Sequence, residues 1–199
     1  MYYMEKKLKP EVEKEIKKGF FEIRKKAFDA DGLEHPDREE EVQVYVSHIC
    51  LHNYHPIFSK MNIDTVKTFL SMSTILYLNK GQTLYSPGFN DSFFYVVLFG
   101  KCRVLRPCAS NPRQMEPVGQ ELNLGWTIGE EILFKALDGK KLSRRETCKA
   151  LCDSCVLGID RKGLSEVKKS LQARGMSDEF NKIEIVLRGN HMVKQNWKQ

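Results

Sequence analysis

The sequence predicts an α+β fold: a jelly-roll-like β-roll of about eight strands, with helices before and after it. Two observations carry this prediction. Residues 73–160 hold short β-branched and aromatic runs punctuated by Gly and Pro. On either side of that stretch, apolar positions recur at steps of three and four, the period of a helix with one buried face. The chain has 199 residues, 41% of them apolar, enough for one cored domain and an extension. It lacks any run of about 18 apolar residues, and its first residues lack the apolar core of a secretory signal, so a cytoplasmic location is expected.

Leu8, Val12, Ile16, Phe20, Ile23 and Ala27 open the chain within an arc of about 120° on a helical wheel. Pro10 suits a first helical turn. Such an arc needs a surface to pack on, because a short isolated helix is marginal in water. Glu11, Glu13, Glu15 and Glu22 lie among its lysines, which disfavours anionic lipid. Protein contact is therefore expected, within the chain or with an effector or scaffold protein in a larger assembly. Residues 29–41 break the pattern with seven acidic residues against one Arg, and with Gly32 and Pro36 as punctuation. They read as an acidic linker whose last part starts a second helix, striped by Val42, Tyr45, Val46 and Ile49. A further helix over 61–70 is expected to turn Ile63, Val66, Phe69 and Leu70 inward.

The strands follow. Residues 73–78 read as one, Asn79-Lys80-Gly81 as a turn, and 82–85 as the next, closed by Ser86-Pro87-Gly88. Residues 93–99 are continuously apolar, which fits a strand buried on both faces. Gly100 turns the chain into 101–105, and the polar, Pro-bearing stretch 107–117 reads as a hairpin loop. After the strands, 161–174 is helical with Leu164, Val167 and Leu171 inside and Gly175 as its cap. Ser177 and Asp178 start a last helix carrying Phe180, Ile183, Val186 and Leu187. Trp197 lies beyond, suited to covering a base or to a tail.

One stretch carries chemistry. Ile128-Gly129-Glu130 is followed, fourteen residues after the Glu, by Arg144-Arg145-Glu146-Thr147. A carboxylate accepts from sugar hydroxyls, and a guanidinium fork takes two phosphate oxygens at once. Amides at the start of a helix after Glu130 supply further donors. These are the parts needed to hold a cyclic ribose phosphate.

In order and spacing, the chain over residues 55–190 resembles the cyclic nucleotide-binding domain family. The matching pieces are His55-Pro56-Ile57-Phe58, the run from Lys80 through Gly88, Tyr95 to Gly100, Ile128-Gly129-Glu130, Arg144-x-x-Thr147, and 150–160. The resemblance implies a ligand, cyclic AMP or cyclic GMP, contacted by Gly129, Glu130, Ile132, Arg144, Arg145 and Thr147, with no metal. It also implies that the C-terminal helices act as a hinge and lid. The organisation expected is a helical extension with its linker over 1–54, the nucleotide-binding-like domain over 55–190, and a tail over 191–199.

The chain departs from the family pattern in two places. Glu131 follows Glu130, and the link to Arg144 is long, bears Lys residues and contains no Pro. Arg145 and Glu146 stand where the family has small residues, and a Glu beside a phosphate repels it. Two functions are therefore expected: a regulatory module that senses cyclic AMP or cyclic GMP and signals to a partner, or a degenerate domain that serves as a structural or interaction module without ligand. An enzyme is not expected, since no nucleophile–base arrangement, P-loop or metal motif occurs. The net charge of +6 fits a solvated basic surface, and the chain leaves no room for a helix-turn-helix after its last helix, so no nucleic acid is expected as a partner. The six cysteines read as reduced thiols: Cys152 and Cys155 form a C-x-x-C that lacks the second pair a metal would need.

Overall fold

A computed structural model describes residues 55–89, 93–131 and 143–197, together with Glu11, Lys14 and Lys18. The expected N-terminal apolar stripe, the acidic linker, the stripe from Val42 to Ile49, Ile132 and most of the link to Arg144 lie outside the described residues.

The described chain begins with His55 and a 3-10 turn at Phe58–Lys60, then helix α1 at Ile63–Ser71. Eight strands follow: β1 Thr74–Leu78, β2 Thr83–Tyr85, β3 Phe93–Phe99, β4 Cys102–Pro107, β5 Met115–Pro117, β6 Thr127–Ile128, β7 Thr147–Ala150 and β8 Ser154–Asp160. Helices α2, Arg161–Ala173, and α3, Ser177–Asn196, close the order. The strands form two four-stranded antiparallel sheets, ordered β1-β8-β3-β6 and β2-β7-β4-β5. This is the expected β-roll flanked by helices.

The unbroken apolar run of β3 has a direct cause. Side chains alternate across a strand, and both faces of the first sheet are covered. Phe94, Val96 and Leu98 point into a core shared with Val66 and Phe69 of α1 and with the inner residues of α2 and α3. Tyr95 and Val97 point the other way, into a second core between the sheets with Val104, Ile128 and Cys148. Strand β8 divides in the same manner, with Leu157 and Ile159 on the helical side and Val156 between the sheets.

Local chemistry sets the helix ends. The Asn62 side chain accepts from the Asp64 amide at 2.9 Å and caps α1. Asp160 ends β8 and caps α2 by accepting from the Gly163 amide at 2.6 Å. At the far end, the Met176 amide donates to Leu171 O at 2.8 Å and the Gly175 amide to Gln172 O at 3.0 Å. Gly175 has φ +71°, so this is the Schellman cap expected of a Gly there. Val66, Phe69 and Leu70 are buried as expected, but Ile63 is 44% exposed. It is the first residue of α1, where the stripe has only begun to face the sheet. The polar hairpin is also more ordered than the sequence suggests: β4 runs to Pro107 and pairs with β5 in register Pro107↔Met115.

His55 enters the roll fully buried. Its Nδ1 accepts from the Ile57 amide at 3.3 Å, so Nε2 carries the hydrogen and donates to Val97 O at 3.1 Å. Burial lowers its pKa to about 4, only partly offset by the bond to Val97. The ring is thus neutral, with both nitrogens used, and it ties the entry of the domain to the central strand.

Candidate functional site

The site forms where β6 ends. Strand β6 pairs with β3 in register Tyr95↔Ile128 and Val96↔Thr127. Gly129 then takes φ +78°, a left-handed conformation that costs an L side chain energy. A Cβ there would also run into the Arg144 guanidinium. Gly is therefore required twice, by backbone angle and by the cation lying against it. Glu130 follows, 1% exposed, and then Glu131, which is helical and partly exposed.

The chain returns at Ser143. The Arg144 amide donates to Phe89 O at 3.1 Å, and the Gly88 amide donates to Arg144 O at 2.9 Å. The turn after β2 thus clamps the backbone of Arg144. Its guanidinium Nη1 donates to Gly129 O at 3.2 Å and meets Glu131 Oε1 at 3.0 Å. Nη2 donates to Phe93 O, and Cζ sits 4.5 Å above the Tyr85 ring, a cation–π distance. The side chain of Arg144 is 2% exposed.

Glu130 is answered from another quarter. Thr127 Oγ1 donates to its Oε2 at 3.2 Å. The Lys194 ammonium, from the last turn of α3, pairs with the same carboxylate and donates to Thr127 O at 2.8 Å. His191 Nδ1, one turn earlier, lies 3.6 Å from Glu130 Oε1. Burial pushes the Glu130 carboxyl upward, but the Lys194 charge and the groups beside it outweigh that and hold the pKa down to about 2. The carboxylate is ionised and fully compensated.

The expected residues thus fall into place unequally. Gly129, Glu130 and Arg144 come together at one turn. Thr147 is buried at the start of β7, and Arg145 is exposed beside Arg144. Two residues outside the expected set carry much of its electrostatics. Glu131 shares the guanidinium, and Lys194 shares the carboxylate. A signal for Lys194 was available. Phe180, Ile183, Leu187, Asn190, Lys194 and Trp197 continue one stripe at steps of three and four. A Lys on the buried stripe of a helix needs an anion opposite. Trp197 lies on the same stripe, its ring 5.2 Å from that of Trp126 and packed against Gly119. Among the described residues, no group of three or more His, Cys, Asp and Glu is placed to hold a metal ion. None of the described helices is long and apolar enough to cross a membrane.

No family model matches the chain, and no curated protein matches it. Solved structures do. A cyclic nucleotide-binding domain from Methylobacillus flagellatus superposes with a TM-score of 0.59 at 15% identity, covering 80% of each chain. The catabolite activator protein of Thermus thermophilus gives a TM-score of 0.52 at 19% identity, over 75% of this chain and 61% of that one. The regulatory subunit of a cAMP-independent protein kinase A from Trypanosoma cruzi, bound to guanosine, gives 0.52 at 11% identity, over 76% of this chain and 51% of that one. This chain thus spans less than two thirds of the length of the Thermus protein. At these identities the likeness concerns the fold, and together with the two sheets and their flanking helices it is decisive on that point: the described part of this chain has the cyclic nucleotide-binding domain fold.

Proposed function

We propose that this chain is a regulatory module that binds a cyclic nucleoside monophosphate, cyclic AMP or cyclic GMP, and passes a conformational change to a partner protein. The supporting observation is the burial of two opposite charges, Arg144 and Glu130, on either side of Gly129. Burying charged groups is expensive, and well-packed apolar residues usually serve stability as well or better. A purely structural turn has no need of them. A ligand does. Its phosphate replaces the Glu131 carboxylate on Arg144, anion for anion, with the guanidinium fork and the adjoining backbone already placed. Its ribose hydroxyl donates to Glu130. Thr147, three residues after Arg144, and the exposed Arg145 complete the proposed contacts, with Gly129 supplying the close backbone approach.

The second reading is an interaction module without ligand. One observation favours it: both charges already have partners within the chain, Glu131 for Arg144 and Lys194 for Glu130. In either reading the output passes to an effector or scaffold protein, with the N-terminal extension as the proposed contact.

Calorimetry of the full chain with cyclic AMP and with cyclic GMP separates the two. Saturable binding of either, weakened more than tenfold by Arg144→Ala, supports the sensor. The absence of binding for both nucleotides, with the chain folded, overturns the sensor and favours the interaction module.

A further inference from the structure

Helix α3 is held by two kinds of contact. Its first half carries Phe180, Ile183 and Leu187 into the apolar core with α1 and α2. Its last two turns leave that core and lie along residues 119–130. Asn190 Nδ2 donates to Gly125 O at 3.4 Å, Lys194 bonds Thr127 O and Glu130, and His191 stands beside the same carboxylate. Trp197 then packs on Trp126 and over Gly119. The first half is bound by burial, which is hard to undo. The second is bound mainly by a cation on a carboxylate and by one ring pair.

We propose that residues 190–197 form an autoinhibitory strap, with Lys194 as the chain's own occupant of Glu130. A ligand hydroxyl and the Lys194 ammonium compete for one carboxylate, so ligand entry requires the end of α3 to lift. The helix is then closed without ligand and freed by it. The ligand half of this inference rests on the sensor reading above, whereas the strap itself does not. By linkage, whatever loosens the strap raises ligand affinity by the factor by which ligand loosens the strap. Lys194 sets that factor without touching the phosphate, and its removal leaves the Arg144 cradle as it is.

The chain contains its own reporter. Its two tryptophans are Trp126 and Trp197, whose rings lie 5.2 Å apart at a tilt of 46°, a contact that lifting the strap would break. The test uses the full chain and Lys194→Met, which keeps the stem and removes the charge. Three quantities are measured: amide hydrogen exchange along α3, tryptophan emission, and the heat of titration with cyclic AMP and cyclic GMP. The expected result is at least tenfold faster exchange at 190–196, unchanged exchange at 180–187, red-shifted emission, and at least tenfold tighter nucleotide binding. Glu130→Gln removes the other partner and is expected to free the same residues, which keeps the strap testable if one variant fails to fold. Unchanged exchange at 190–196 in the folded variants overturns the strap. Freed exchange with equal nucleotide affinity in parent and Lys194→Met overturns the autoinhibition. Freed exchange with nucleotide binding in neither leaves the strap standing and overturns the ligand reading.

Discussion

Arg144 and Glu130 stand on either side of Gly129, both buried and both charged, yet they are held in opposite ways. Arg144 is held by the roll itself: the carbonyls of Gly129 and Phe93, the Glu131 carboxylate and the face of Tyr85. Glu130 takes one hydrogen bond from Thr127 close by, but its countercharge comes from Lys194, sixty-four positions on. The difference shows which half of the site can move. The contacts of Arg144 are complete whenever the two sheets are folded. The carboxylate is complete only while α3 lies down, so a change in α3 is felt at Glu130 and not at Arg144.

The largest effect expected from breaking this comparison is at Arg144. Arg144→Ala leaves two carbonyls, one buried and one partly so, short of a donor and Glu131 without its cation, a loss of about 4 kcal/mol of stability. Lys194→Met leaves one buried carboxylate without its ammonium, but Thr127 still donates to it and the helix end can lift and let water reach it. About 1–2 kcal/mol is expected there, because rehydration relieves most of the penalty. Denaturant unfolding of both variants measures the difference. An equal cost for the two would mean that the strap does not lift and that both anchors are equally rigid.

Acid separates two buried groups next. The neutral His55 has its pKa lowered to about 4 from an ordinary value of 6.5. Between those values the unfolded chain binds the proton and the folded chain refuses it, so stability falls as pH drops from 6.5 towards 4. The loss is on the order of 3 kcal/mol. Glu130 is held near 2 against an ordinary 4.5. Its stabilisation is fully present above 4.5 and is lost as pH falls through that window towards 2, again on the order of 3 kcal/mol at most. Two successive acid losses are therefore expected, the upper one from the entry of the domain and the lower one from the site. Stability measured from pH 7 to pH 3 checks this: Glu130→Gln should shrink the lower loss, to which Glu116, Glu121 and Glu179 also contribute, and leave the upper. A single loss confined below pH 4.5 would contradict the neutral, doubly bonded state of His55.

How much of this was legible in the sequence follows from the range of each cause. The strands were legible because β3 and β8 are covered on both faces, and that leaves an unbroken apolar run in the chain. The cap at Gly175 was legible because its geometry is local. Gly129, Glu130 and Arg144 were legible as residue types in order, since a turn, a carboxylate and a guanidinium have few substitutes. What the sequence could not show was partnership. Glu131 reads only as a departure from the family pattern, yet it is the anion on Arg144. Ile63 sits on an apolar stripe, yet it is exposed, because burial at a helix end depends on where the helix meets the sheet. Lys194 lies on a stripe whose apolar part ends at Leu187, and its reason to be buried is a carboxylate far away in the chain.

The smallest expected effect sharpens the comparison most finely. Asn190 is the first residue of the α3 stripe after Leu187, and its amide donates to Gly125 O at 3.4 Å, the long end of hydrogen bonding. Ala is also the better helix former, which offsets part of what the bond contributes. Asn190→Ala should therefore change stability by no more than about 0.5 kcal/mol. Exchange at 190–196 and tryptophan emission should stay close to those of the parent. Lys194→Met differs from it by one turn of the same stripe, yet it should free the whole helix end. If the two variants free it equally, the helix end is held by many weak contacts along residues 119–130, and the charge on Glu130 has no special part in keeping it down.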